Sequence, residues 1–204
     1  MPPITAAQVK QLRELTDAPM MACKKALEEA DGDLQKAADL VRERTGAKMD
    51  ARAGERTASE GAIFAYLHTP NPDLPAKVGV MLQLGCETDF VAKGDKFQQL
   101  GRDIAMHVAA MKPLVVSQAD VDATTLDKEK DFARKEALEQ GKPENIVERI
   151  VEGKVKKFYE ESVLLDQPYV RDDSKTVGEL VSEVQAVTGE KIEVARFERF
   201  EIRA

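Results

Sequence analysis

The segment from Val78 to Met111 constrains the fold most, because a strand pattern passes directly into a helix pattern within it. From Val78 to Cys86, apolar residues alternate with small or polar ones, which predicts a half-buried β-strand. From Asp95 to Met111, apolar residues recur at helical spacing, which predicts a helix that covers the sheet. These apolar residues are Phe97, Leu100, Ile104, Val108 and Met111. The turn between the two patterns carries an unexpected large apolar residue, Phe90.

Two further strand patterns complete the predicted sheet. The segment Ala62–Leu67 has strand composition and is followed by a proline-rich loop, so it predicts an antiparallel hairpin with the strand from Val78. The segment Ile192–Ile202 predicts a third strand, and its apolar positions change parity after Val194, which indicates a β-bulge. We therefore expect an α+β core with a three-stranded antiparallel sheet covered by helices.

Three short helices are predicted before the sheet, and their capping residues place them. Thr5 and Gln8 form a capping box for the first helix, Asp17 is a candidate N-cap for the second, and Asp33 is one for the third. Gly46 is expected to end the third helix. This pattern predicts a small bundle of the ubiquitin-associated type.

The predicted domain organisation has three parts and one projection. Residues 1–46 form the bundle, 47–60 a polar linker, and 61–204 the core. Within the core, residues of about 118–162 contain two long charged helices that flank a Gly-Lys-Pro turn. Their narrow apolar stripes predict an antiparallel helical hairpin that projects from the core.

Composition excludes several classes of function. The net charge of -7 argues against a general nucleic-acid binder, which normally carries a basic excess. No apolar run approaches the roughly 18 residues that span a bilayer, and no signal-peptide pattern is seen, which fits a cytoplasmic protein. Cys23 and Cys86 are expected to stay reduced. The two histidines and two cysteines lack metal-site spacing, so we expect no metal and no cofactor.

Several segments resemble one protein family, elongation factor Ts. They include Thr88–Lys93, which reads Thr-Asp-Phe-Val-Ala-Lys, Ala105–Ala110, which reads Ala-Met-His-Val-Ala-Ala, Ile150–Phe158 and Gln167–Val170. The family consists of guanine-nucleotide exchange factors for elongation factor Tu in bacteria and organelles. The resemblance implies a translation elongation factor that promotes GDP release by disturbing the Mg²⁺ and phosphate site of that GTPase.

The resemblance also implies contact residues in the core. Thr88, Asp89, Phe90 and Val91 would form the element that pushes between helices of the GTPase domain. His107 would make a second contact near the phosphate-binding loop. From residue type alone, a Phe at a turn is more often buried in the core, and a lone His beside an apolar stripe is more often structural.

The bundle is implied to dock on a helix of the same GTPase domain. The contacts implied there are Arg13, Met20, Met21 and Lys24, although the two methionines could also simply fill the core. The chain departs from the family in one place. It has Thr16-Asp17-Ala18-Pro19 where the family commonly has Thr-Gly-Ala-Gly, which affects the shape of the loop before the paired methionines.

Two other classes of function are compatible with single features of the sequence. A small thiol enzyme would use Cys86 as nucleophile and His107 as base, with Asp89 or Asp103 as the orienting group. An inert thiol is more usual at the end of an apolar strand, and no glycine-rich phosphate loop is present. An RNA-binding module fits poorly with the negative charge and scarce aromatic residues.

The resemblance further predicts a homodimer. Longer family members have two related core subdomains, one presenting the Thr-Asp-Phe element and the other the Met-His-Val element. This chain carries both on one core, and Asp95 to His107 spans about 18 Å of helix at roughly 1.5 Å per residue. A two-fold dimer would offer each partner Phe90 from one copy and His107 from the other.

Overall fold

The structure is a computed structural model that describes residues 4–16, 18–50, 57–69, 71 and 73–202, without the side chains of residues 42, 43 and 45–50. Within this described part the chain forms eight α-helices and five strands. The helices are α1 (Ala6–Thr16), α2 (Met20–Glu29), α3 (Leu34–Asp50), α4 (Asp89–Lys93), α5 (Asp95–Met111), α6 (Ala123–Glu139), α7 (Glu144–Ser162) and α8 (Val177–Thr188). The strands are β1 (Glu60–His68), β2 (Val78–Cys86), β3 (Pro168–Tyr169), β4 (Asp172–Thr176) and β5 (Glu193–Glu201).

Helices α1, α2 and α3 surround a small aliphatic cluster of their own. The buried side chains include Val9, Leu12, Cys23, Leu27 and Val41. The capping box is confirmed, since the Thr5 N–H donates to Gln8 Oε1 at 2.9 Å and the Gln8 N–H donates to Thr5 Oγ1 at 3.3 Å. The Asp33 cap is confirmed as well, because its Oδ1 accepts from the N–H groups of Gln35 and Lys36.

Two helix boundaries in the bundle differ from the prediction. The N-cap of α2 is Pro19, which carries no side-chain cap, and not Asp17, which lies outside the described residues. Helix α3 continues through Gly46 to Asp50, because a glycine inside a helix lowers its stability without ending it. The predicted linker of residues 47–60 therefore begins as helix, and the domain boundaries remain a prediction.

The main sheet has the strand order β1-β2-β5, which confirms the predicted pairing of β1 with β2 and places β5 beside β2. Alternate residues of β2 are buried, with Val80, Leu82 and Leu84 on the inner face. Phe64 of β1 is buried on the same pattern and contacts helix α5 at Gly101, where an added Cβ would lie 2.2 Å from the Phe64 ring. Only glycine permits this close approach, which lets α5 cover the sheet.

Helices α6 and α7 form the predicted hairpin. They bury Ala133 and Ala137 against Val147 and Val151, and the turn uses Gly141 at a φ of 70°. Arg134 and Glu148 form an ion pair at 3.0 Å across the two helices. The sequence predicts that the apolar stripe of α6 contains Leu126, Phe132, Ala133 and Leu138. This is wrong in part, because Phe132 and Leu138 are exposed to solvent. Small alanines take their place in the close helix–helix contact.

The sequence did not predict the small antiparallel sheet of β3 and β4. Strand β3 has two residues and β4 is polar, so neither shows hydrophobic alternation. The sequence also predicts a capping box of Thr176 and Glu179 at the start of a last helix. It is confirmed at α8, since the Thr176 N–H donates to Glu179 Oε2 at 2.7 Å and the Glu179 N–H donates to Thr176 Oγ1 at 3.1 Å.

The chain divides into two compact units. The first combines the described residues of Met1–Ala62 with Gly85–Gln98 and Val181–Glu193. The second combines Ile63–Leu84, Gln99–Leu180 and the described residues of Val194–Ala204. None of the helices in the described part is long and apolar enough to cross a membrane.

Candidate partner-binding site

Helix α4 follows β2 directly and carries the candidate contact residues Asp89, Phe90 and Val91. Thr88 is its N-cap, with φ -129° and ψ 155°, and its hydroxyl accepts from the Val91 N–H at 3.4 Å. The helix ends at Gly94, whose N–H donates to the Val91 carbonyl at 2.9 Å. The sequence predicted only a turn here, because a five-residue helix is too short to show a hydrophobic period.

Phe90 is the most exposed large apolar side chain in the described part of the chain, with 84% of its surface open to solvent. Single exposed apolar residues are common on proteins, but aromatic residues are also typical anchors of protein interfaces. Of the two interpretations of Phe90 from the sequence, the structure favours the exposed one. Its contact with a partner remains a prediction.

The neighbours of Phe90 give α4 a charged surface and a partly buried one. Asp89 is exposed, and its carboxylate accepts from Lys93 Nζ at 2.6 Å. This hydrogen bond with the Lys93 ammonium lowers the pKa of Asp89. Val91 is half-buried and Ala92 is buried, so the helix rests on one side and presents Asp89 and Phe90 on the other.

Glu190 is a residue that the sequence analysis missed. Its carboxylate accepts from the N–H groups of Glu87 and Thr88 at 3.2 and 3.0 Å, and from the Thr88 hydroxyl at 2.6 Å. In the sequence, Glu190 is 103 positions from Glu87 and 102 positions from Thr88. No local pattern points to such a contact.

Cys86 does not have the environment of a nucleophile. It is buried at the end of β2, and its thiol donates to the Thr88 carbonyl at 3.2 Å. Burial, followed by the negative charge of Glu190, raises the pKa of the Cys86 thiol. A catalytic cysteine needs the opposite shift. The thiol-enzyme alternative therefore loses its proposed nucleophile.

His107 is fully buried, whereas a residue that contacts a partner should be accessible. Its Nδ1 accepts from the Val170 N–H at 3.2 Å, so its Nε2–H donates to Gln167 Oε1 at 2.9 Å. The ring also packs at a tilt against Tyr169, with centroids 6.0 Å apart. In this structure His107 therefore holds the segment 167–170, and a direct contact with a partner would require its ring to leave this position.

The stability of the fold is expected to depend on pH through His107. Burial lowers the pKa of His107, so below about pH 6.5 the unfolded chain takes up a proton before the folded chain does. The free energy of unfolding should therefore fall as the pH is lowered from 7.5 to 5.5. Replacing His107 with Gln should remove part of this dependence and cost roughly 1–3 kcal/mol at pH 7.5, because buried groups lose a partner.

Urea unfolding at a series of pH values measures this effect. His68→Gln is the matched control, since His68 is the only other histidine of the chain and is exposed. An unchanged pH dependence in His107→Gln would show that other groups cause it.

The bundle presents its four candidate contacts to solvent. Arg13 on α1 and Lys24 on α2 are exposed, and Lys24 lies 3.8 Å from Glu28. Met20 and Met21 are 57% and 64% exposed. Neither methionine fills the core of the bundle, so both are surface residues that are accessible to a partner.

An exposed aromatic side chain on a short, hydrogen-bonded helix is a feature that protein-docking sites share. The family model of Elongation factor TS matches residues 4–204 of the chain. The chain is 48% identical over 201 residues to Elongation factor Ts of Oleidesulfovibrio alaskensis, and 98% of each sequence is covered. It is 49% identical over 194 residues to Elongation factor Ts of Thermotoga maritima, with 95% of this chain and 94% of the relative covered. The chain belongs to the elongation factor Ts family and is a translation elongation factor.

Proposed function

We propose that this chain binds elongation factor Tu and promotes GDP release by inserting Phe90 and Asp89 of α4 into the GTPase domain. Membership of the elongation factor Ts family supports the class of function. The observation that carries the mechanism is the 84% exposure of Phe90 on a helix that is hydrogen-bonded in place. Thr88 and Val91 support that helix and would line the edge of the contact.

Linkage explains how such a contact weakens GDP binding. A protein that binds the nucleotide-free GTPase more tightly than the GDP form must weaken GDP binding by the same factor. The phosphates of GDP depend on a P-loop and a nearby Mg²⁺. A Phe side chain that enters a packed helix pair can shift one helix, since packed cores change between discrete arrangements. This shift would disturb the part of the nucleotide site that holds Mg²⁺, and GDP would then bind more weakly.

The other predicted contacts would increase affinity and orient the chain. Arg13, Met20, Met21 and Lys24 offer exposed apolar and basic groups on the bundle for one helix of the GTPase domain. The hairpin of α6 and α7 would touch another part of elongation factor Tu. His107 would contribute through the backbone of Val170, which it holds and which is partly exposed.

The chain is proposed to act without an active site of its own. Exchange needs binding energy and no covalent step, so the chain would require neither a metal nor a cofactor. The proposed site of action is the cytoplasm, where translation elongation takes place, and elongation factor Tu is the partner and not a nucleic acid.

A homodimer is proposed as the working form, and the outer face of the main sheet supports it. The residues of β1 that alternate with the inner ones are exposed, and in β2 Met81 is exposed between the buried Val80 and Leu82. The exposed apolar side chains are Ile63 and Leu67 of β1, Met81 of β2 and Phe200 of β5, each between 48% and 67% exposed. Beside these apolar side chains, Arg196 Nε donates to Gln83 Oε1 at 3.1 Å. A second copy of the same face would bury these side chains about a two-fold axis.

Replacing Met81 with Lys is expected to convert the dimer to a monomer. An unpaired ammonium in an apolar interface should weaken association roughly 100-fold or more, equivalent to about 2.7 kcal/mol. Sedimentation velocity at micromolar concentrations measures the change. Leu138→Lys is the control, because Leu138 is 55% exposed on the hairpin and lies outside the sheet. A monomeric wild-type chain, or equal effects of both variants, would contradict the proposal.

The proposed function is tested by mixing the chain with elongation factor Tu that carries fluorescent GDP. Release should accelerate in proportion to the concentration of the chain at low concentrations and then saturate. Unchanged release at micromolar concentrations of both proteins would count decisively against the proposal.

A further inference from the structure

Two distant segments of the chain meet at the start of α4. Oxygen Oε2 of Glu190 accepts from the N–H groups of Glu87 and Thr88, and Oε1 accepts from the Thr88 hydroxyl. In return, Oε1 of Glu87 accepts from the Lys191 N–H at 2.6 Å. We name Glu87, Thr88, Glu190 and Lys191 the α4 clamp. Each segment therefore contributes a carboxylate that accepts from the backbone of the other.

The α4 clamp continues into the helix through Thr88. The Thr88 hydroxyl donates to Glu190 and accepts from the Val91 N–H, so hydrogen bonds connect the carboxylate to the first turn of α4. An isolated helix of five residues is unstable in water because its nucleation is costly. The direction of α4, and with it the direction of the Phe90 side chain, must therefore come from contacts such as these.

Glu190 is itself held from the other side. Helix α8 ends at Thr188, and Gly189 turns the chain at a φ of 73°. The Glu190 N–H then lies 3.5 Å from Thr188 Oγ1, and the Ile192 N–H donates to Gln185 Oε1 at 3.0 Å. The carboxylate is thus attached to a regular helix end and forms a fixed support for α4.

We infer that Glu190 is a positioning residue for Phe90, which it aims by fixing the backbone of Glu87 and Thr88. The inference rests on the proposed exchange function, because the effect of Glu190 would be transmitted through Phe90. Hydrogen bonds to an ionised carboxylate are roughly twice as strong as neutral ones. Their loss should leave Phe90 present but poorly oriented.

A double-mutant cycle tests this dependence in the full chain. Glu190→Ala should lower the apparent second-order rate constant of GDP release about tenfold. Glu190→Gln should lower it less, because the amide oxygen can still accept from the two N–H groups. In the Phe90→Ala background, Glu190→Ala should lower the rate constant less than about twofold, because the side chain that it orients is already missing.

A second measurement follows the clamp without elongation factor Tu. Amide hydrogen exchange of residues 88–93 should be faster in Glu190→Ala than in the wild-type chain, while the bundle and the hairpin keep their protection. Glu193→Gln is the control, since Glu193 pairs with Lys191 Nζ at 2.6 Å but accepts from neither Glu87 nor Thr88. This variant should leave both GDP release and exchange at α4 unchanged.

The outcomes separate the clamp from the proposed function. Equal losses from Glu190→Ala in the wild-type and Phe90→Ala backgrounds would overturn the inference, because Glu190 would then act independently of Phe90. Wild-type protection of residues 88–93 in Glu190→Ala would overturn it as well. If the wild-type chain failed to release GDP, the proposed function would fall, and hydrogen exchange would still decide whether Glu190 holds α4. If Glu190→Ala unfolded, the same cycle with Glu190→Gln would decide the matter.

Discussion

Replacing Phe90 with Ala is expected to slow GDP release from elongation factor Tu about 30- to 1000-fold. An interface anchor that is truncated typically costs roughly 2–4 kcal/mol of binding free energy. The same change should alter folding stability by less than about 0.5 kcal/mol, because an 84% exposed side chain contributes little to the core. A buried core Phe would instead cost about 3–5 kcal/mol of folding stability.

The matched control for Phe90→Ala is Phe132→Ala. Phe132 is also exposed, at 67%, but lies on α6 of the hairpin. Stopped-flow release of fluorescent GDP and thermal unfolding, measured for both variants, separate binding from folding. A large drop in the melting temperature of Phe90→Ala without a specific loss of nucleotide exchange would show that Phe90 stabilises the fold and is not an interface anchor. Equal losses in both variants would remove the special role of α4.

Removing the bundle is expected to weaken the complex at least about tenfold and to leave a core that folds. Helices α1 to α3 bury their own apolar cluster, and they carry the exposed contact candidates Met20 and Met21. The cut belongs after Asp50, because α3 continues to that residue and a cut at residue 46 would divide the helix.

Binding of the truncated chain to elongation factor Tu is measured by calorimetry and compared with the double variant Met20→Ala and Met21→Ala in the full chain. The double variant should show part of the same loss while it unfolds like the wild type. Loss of cooperative unfolding in the truncated chain would show that the predicted boundary between bundle and core is wrong.

Local chemistry determined which parts of the fold were predictable. The capping boxes at Thr5 and Thr176 define helix starts within four residues of sequence, and both are present in the structure. The alternating residues of β2 likewise report burial on one face. In contrast, Gly46 lies inside α3 and does not end it. A glycine residue permits a helix to end at its position but does not require it to.

The site required information that the sequence does not hold locally. The contact between Glu190 and Thr88 joins residues 102 positions apart, and the burial of His107 depends on Gln167, which is 60 positions away. His107 lies at the edge of an apolar stripe, where the sequence allows either a buried or an exposed ring. The His107 ring is buried because the segment 167–170 packs over that edge. The sequence of this segment has no strand pattern, so its position could not be predicted.

The most direct test of the account compares the affinity of the chain for nucleotide-free and for GDP-bound elongation factor Tu. Because coupling is reciprocal, the ratio of these affinities must equal the factor by which the chain weakens GDP binding. We expect much tighter binding to the nucleotide-free form, and a ratio of affinities that falls toward one when Phe90 is replaced by Ala. Equal affinities for the two forms would contradict it, because a ligand that binds two states equally cannot shift the equilibrium between them.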